Sequence, residues 1–170
     1  RDTAEPEVSL EVTNVRADDH FEARSIMAHT RPEGAGQHGL AIAVEGFHHQ
    51  SADHPPLDIE SASLLSTLKP GRQLEVRDIV LKQRAVTWSG RGEITLDAEK
   101  RIAGTLHTRT NDLDGLLAII DPHVEMNDQQ RATFKTIIGL LGQQAEADII
   151  ARDGELYVGP FKIANLLPLY

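Results

Sequence analysis

The sequence contains no cysteine, so disulfides, thiolate zinc sites, iron–sulfur clusters and thiol nucleophiles are all excluded. Aromatic residues fill only 4% of the 170 positions, which leaves the interior to Leu, Ile, Val and Ala. No run approaches the roughly 18 consecutive apolar residues of a membrane-spanning helix. The longest, such as 137–141, are short and broken by Gly. Excess positive charge is missing too: 17 Lys and Arg stand against 26 Asp and Glu, a formal net charge of −9. A nucleic-acid partner would call for a basic patch or stripe, and an anionic membrane surface for the same sign of charge. Neither partner is expected.

What is present is a chain of one-domain size, 40% apolar and 25% charged, sufficient to bury a core. Period-2 alternation dominates the first hundred residues. Val8, Leu10 and Val12 alternate with Ser9, Glu11 and Thr13, as in a strand with one wet side. Phe21–Thr30 is a second, less regular strand, and Leu40, Ile42 and Val44 mark a third. "TRPEGAGQHG" supplies the turn between those two, and "DHPPL" interrupts the pattern again because consecutive prolines offer no ladder donors. "IESASLLSTL" fits a short helix by propensity and a strand by alternation. Pro70-Gly71 turns the chain, and Leu74, Val76, Ile79 and Leu81 predict a strand with a bulge near Asp78. "AVTWSGRGEITLD" and "IAGTLHTRT" form a meander pair around "DAEKR".

The character then changes. Asn111 is placed to cap a helix through "DLDGLLAII" that stops before Pro122. Asn127 and Gln130 have capping-box spacing ahead of a second helix, on which Phe134, Ile137, Ile138 and Leu141 form an apolar stripe. A final hairpin turns at Asp153-Gly154. The expectation is a single α+β domain over residues 1–170: a mainly antiparallel, curved β-sheet with two helices inserted before a C-terminal β-hairpin.

"SGRGEITLD", "RIAGTL", "LDGLLAII" and "DGELYVGPFKIANLLPLY" together resemble a bacterial family known only as domain of unknown function 2125. The resemblance runs from about residue 74 to 170, with weaker similarity back to about residue 20. It is carried by Gly90, Gly92, Gly104, Gly159-Pro160 and Pro168, and by apolar spacings, so it is structural in kind. Members often have a Trp-Gly-Pro turn where this chain has Gln83-Arg84-Ala85, and the single Trp comes later, at Trp88. The likeness implies a periplasmic protein of Gram-negative, mostly alphaproteobacterial cells, held at the inner membrane by an N-terminal signal-anchor. Because the chain starts with Arg rather than Met, we expect a trimmed C-terminal part of such a protein, with the membrane reached only through that absent anchor. No catalytic residues come with the family.

Candidate sites follow from residue chemistry. "GFHHQSADHPPLD" gathers His48, His49, Asp53 and His54, imidazoles and a carboxylate of the kind zinc favours. His48 and His49 are adjacent, so on a strand they point to opposite faces. The stretch therefore reads as the polar rim of a hairpin, and no metal is expected. Asp18-Asp19-His20 reads as a turn, while Asp112 and Asp114 suit a helix start better than a calcium loop. Ser89-Gly90-Arg91-Gly92 lacks the Gly-x-Ser-x-Gly order of a nucleophile elbow and the Gly-Lys-Ser/Thr of a phosphate loop. The apolar candidates are Phe134, Ile137, Ile138 and Leu141 with Leu166 and Leu167 of the greasy tail "NLLPLY", which is expected to dock rather than fray.

These readings favour a non-enzymatic cell-envelope module sheltering a lipid or another hydrophobic ligand in an apolar groove, with no cofactor. A ligand-free scaffold that binds another envelope protein is the alternative. A metal-dependent hydrolase ranks last, because it needs a His, a carboxylate and a hydroxyl converging in a cleft.

Overall fold

A computed structural model describes residues 6–17, 20–50, 55–120 and 145–169, together with residues 128, 129, 132 and 136. Ten strands follow one another along the chain: β1 (Val8–Ala17), β2 (Phe21–Gly34), β3 (Gln37–His49), β4 (Leu57–Lys69), β5 (Gln73–Gln83), β6 (Val86–Leu96), β7 (Ile102–Thr110), β8 (Ala145–Arg152), β9 (Glu155–Val158) and β10 (Phe161–Asn165). They form one sheet in the order β1 to β10, so each strand lies between its sequence neighbours, and every pairing is antiparallel. The sheet is an open meander.

Turn chemistry explains the reversals. Ala35 and Gly36 join β2 to β3, and Asp153 and Gly154 join β8 to β9; all four have left-handed φ, between 52° and 74°. That is the geometry of the two-residue turn whose twist matches flanking strands. Between β6 and β7 the Asp97 carboxylate organises the loop. Its Oδ1 accepts from the N–H of Glu99 (2.8 Å) and of Arg101 (2.9 Å), and its Oδ2 from Arg101 Nε (2.9 Å). The Arg101 backbone bond, then its guanidinium, hold the Asp97 carboxyl below its usual range.

One helix, α1 (Leu113–Ile120), leaves β7. Its cap is Asp112, not Asn111: Asp112 Oδ1 accepts from the Gly115 N–H at 2.8 Å. Asn111 instead ties the helix start to β6, accepting from Thr87 N (2.6 Å) and donating to the Ala85 carbonyl (2.8 Å). Leu113 is buried, and a Cβ on Gly115 would sit 2.6 Å from Val86 Cγ2, so the helix rests directly on the end of β6. Of the expected second helix, residues 128, 129, 132 and 136 are helical, and Thr136 Oγ1 donates to the Ala132 carbonyl at 2.9 Å. Phe134, Ile137, Ile138 and Leu141 lie outside the described residues.

The class is therefore more nearly all-β than the expected α+β. "IESASLLSTL" settles the balance, because it lies inside β4, hydrogen-bonded to β3 on one side and β5 on the other. Pairing on both edges outweighs a helix propensity worth only tenths of a kcal/mol per residue. The predicted bulge near Asp78 is present: pairing passes from Leu65↔Asp78 to Ser66↔Val76, skipping Arg77.

Candidate functional site

The register assembles two very different sheet faces. Paired residues share a face, and one row crosses all ten strands: Val8, Thr30, Leu40, Ser66, Val76, Gly92, Leu106, Ile149, Val158 and Phe161. The next row runs Leu10, Ala28, Ile42, Leu64, Ile79, Gly90, Thr108, Ala147. Few polar residues interrupt them, and none carries a charge. Most bulky side chains on this face are half-buried, and Val76, Val86 and Ala151 are buried. A bulge is what keeps the face continuous: skipping Arg77 restores the phase so that Val76 and Ile79 point the same way.

Near the other end of β1–β3 the apolar parity changes from Val12, Ile26 and Val44 to Val15, Ala23 and Phe47. Asn14 and Gly46, which flank this change, have left-handed φ of 52° and 59°. Phe47 meets Phe21 edge-to-face with centroids 5.3 Å apart, and Ala23 is buried beside them.

The reverse face is polar. Ser89 and Arg91 on β6, His107 and Arg109 on β7, and Glu146 and Asp148 on β8 line an open cleft of about 690 Å³, with Arg77 and Asp78 of the bulge on its far side. His107 Nδ1 lies 2.7 Å from Asp148 Oδ1. Thus a His, a carboxylate and a serine share one cleft, a grouping invisible in sequence because His107 and Asp148 are 41 residues apart. The only sequence signal was the alternation of His107 and Arg109 with apolar and small neighbours.

Its chemistry is weak. The His107 and Asp148 side chains are 64% and 49% exposed, no hydrogen bond joins Ser89 to His107 among the described residues, and water is not excluded. The N–H groups beside Ser89 belong to a β-ladder, leaving no preformed donor pair for an oxyanion.

Beside the cleft, Glu33 is held by three hydrogen bonds. It accepts from Thr67 Oγ1 at 3.0 Å and from both Arg77 guanidinium nitrogens at 3.2 and 2.5 Å, with Arg31 at 3.6 Å. The Thr67 hydrogen bond, ahead of the Arg77 contacts, holds its carboxyl below the ordinary glutamate value, against an opposing effect of burial. Thr67 itself is 1% exposed, so this network pins the β2–β3 end to β4 and the bulge.

The histidine stretch is only partly assembled. His48 Nδ1 lies 2.6 Å from Asp58 Oδ1, with the imidazole 38% exposed, and His49 stands in register with Leu57 on β4. Asp53 and His54 lie outside the described residues. Among the described residues no group of three or more His, Asp or Glu is placed to hold a metal ion. The tail divides: Leu166 is half-buried and its N–H bonds to the Gly154 carbonyl at 2.8 Å, while Leu167 is 82% exposed. Further along, the Leu169 N–H bonds to the Lys100 carbonyl at 3.1 Å, with the Leu169 side chain 58% exposed.

A long antiparallel meander with an apolar and a polar face, and the short helix α1 seated on the end of β6, defines the class. Within that class the chain belongs to the bacterial family described as "Uncharacterized protein conserved in bacteria (DUF2125)", whose profile matches residues 1–166. The match reaches well beyond the stretch from residue 74 on which the resemblance was strongest. No curated protein and no solved structure matches the chain.

Proposed function

We propose that this chain is a non-enzymatic module of the bacterial cell envelope, on the periplasmic side, whose apolar sheet face shelters a lipid or another hydrophobic ligand. The observation that carries this reading is the uncharged row running across all ten strands, floored by Gly90 and Gly92 and flanked by Leu, Ile and Val. An acyl chain laid along such a row gains about 0.8 kcal/mol for each methylene removed from water. About fifteen methylenes, roughly 12 kcal/mol, leave micromolar affinity after an association cost of about 4 kcal/mol. The periplasmic setting rests on the family likeness alone. Against catalysis stands the wet cleft around His107, where nothing concentrates a reacting pair.

The test is direct. Protein taken from its native envelope is examined by native mass spectrometry, and the delipidated protein is titrated with cis-parinaric acid. A co-purified lipid mass and saturable fluorescence are expected, with Leu106→Asp weakening binding at least about tenfold, or 1.4 kcal/mol. Arg109→Ala, on the polar face, leaves binding unchanged. No bound mass and no saturation would sink the proposal.

A ligand-free interaction module is the second reading, favoured by the C-terminal tail, where Leu167 and Leu169 are 82% and 58% exposed. Its mark is an envelope protein that the wild type binds and Leu167→Ser/Leu169→Ser does not, with no parinaric acid binding by either.

A further inference from the structure

The two edges of the sheet are unlike. β10 has five residues, a register shift between Lys162 and Ala164, and a following tail whose Leu166 and Leu169 N–H groups bond back to the Gly154 and Lys100 carbonyls at 2.8 and 3.1 Å. Such short, irregular edges resist pairing with another strand. Among the described residues β1 has none of these protections. It is ten residues long, contains no proline, and all of its residues but one are exposed. Its single ladder is to β2, so its outer row of N–H and C=O groups has no partner strand among the described residues. Its apolar row is bare as well: Val8, Leu10 and Val12 are 53%, 57% and 41% exposed, while Ile26, Ala28 and Thr30 beside them on β2 are half-buried.

We propose that β1 is a dimerisation edge, pairing antiparallel with β1 of a second copy of this chain about a two-fold axis at Leu10. The strand is complementary to itself in this register. Leu10 faces Leu10, Val8 faces Val12 on the apolar side, and Ser9 faces Glu11 on the polar side. Moving the axis to Glu11 sets two carboxylates against each other, which is unfavourable. Moving it by half a residue puts apolar side chains on the polar face. Left-handed Asn14, with φ of 52°, limits the paired stretch to the residues before it. The dimer carries the apolar face uninterrupted from one copy into the next. This inference does not depend on what that face binds.

Because the chain has no cysteine, single-cysteine variants read the register directly. Directly opposed antiparallel residues have Cα separations within disulfide range. Under mild oxidation Leu10→Cys is expected to link to itself. Val8→Cys and Val12→Cys are expected to link to each other when mixed, about tenfold more than either alone, equivalent to 1.4 kcal/mol. Leu10→Lys shifts the sedimenting species from dimer to monomer while its far-ultraviolet circular dichroism stays that of the wild type, as befits a side chain exposed in the single chain. A wild-type chain that stays monomeric up to its solubility limit overturns the proposal. So does a dimer that Leu10→Lys leaves intact.

Discussion

Gly92 on β6 and Gly104 on β7 each occupy the space in which the other strand's backbone would meet a side chain. A Cβ on Gly92 would stand 2.0 Å from the Thr105 carbonyl oxygen, and one on Gly104 would stand 2.1 Å from that of Glu93. Their φ values, 157° and 142°, are ones that residues with a Cβ rarely adopt. The two glycines thus let β6 and β7 close on each other at the centre of the apolar face. Gly92→Ala and Gly104→Ala are each expected to cost at least about 2 kcal/mol, a fall in melting temperature of roughly 4–8 °C for a chain of this size. The double variant should lose less than the sum, because each substitution already forces the same pair of strands apart. Thermal melts of the three variants check this.

The start of α1 separates two asparagine–aspartate roles. Asp112→Ala removes the cap on the Gly115 N–H and should cost about 1 kcal/mol, with Asp112→Asn keeping most of it. Asn111→Ala should cost more, since it breaks two hydrogen bonds to β6 and strands the Thr87 N–H and the Ala85 carbonyl. Urea unfolding followed by circular dichroism gives the ranking, and equal costs would show that α1 is not held by its register on β6.

Glu33 makes the fold acid-sensitive in a defined direction. Its carboxyl is held below the value of 4.5 that it has when free. A depressed folded-state value contributes stability that is fully present above the unfolded value and is lost as pH falls through the folded one. The wild type should therefore lose melting temperature below about pH 4.5 more steeply than Glu33→Gln, and the two curves should run parallel at neutral pH. Some acid sensitivity remains in the variant, because Glu75, Asp97 and Glu155 are lowered in the same way by Lys69, Arg101 and Lys162 respectively.

His48→Ala should change stability by no more than about 1 kcal/mol, since its exposed pair with Asp58 is of the kind that contributes little. Zinc should not alter the wild-type melt. A zinc-dependent rise of several degrees, absent from His48→Ala, would restore the metal reading of "GFHHQSADHPPLD".

Much of the sheet could be read from alternation. Val8–Val12 and the β6–β7 meander announce themselves by apolar and polar alternation, and Leu40–Val44 by large apolar residues alternating with alanine, the pattern of a strand covered on both sides. The Asp78 bulge showed as a phase slip, and Asp153-Gly154 as a turn. β4 stayed ambiguous, because Ser61, Ser63 and Ser66 blur its pattern and only its two neighbours decide it. The cap was misplaced by one residue, as Asn111 and Asp112 offer the same chemistry and only the strand-facing bonds of Asn111 tell them apart. The polar cleft was hidden because cross-strand register, which no local pattern encodes, brings His107 to Asp148.

The strict succession of strands has a consequence for how the polypeptide reaches this form. Nearly every ladder closes a loop no longer than a short hairpin, so the entropy of closure is small and contacts form early. Each new strand finds its template already laid down beside it, and the growing edge is always the part most recently made. Such a polypeptide can mature largely in the order in which it is delivered, with β7 alone waiting for a more distant partner in β8.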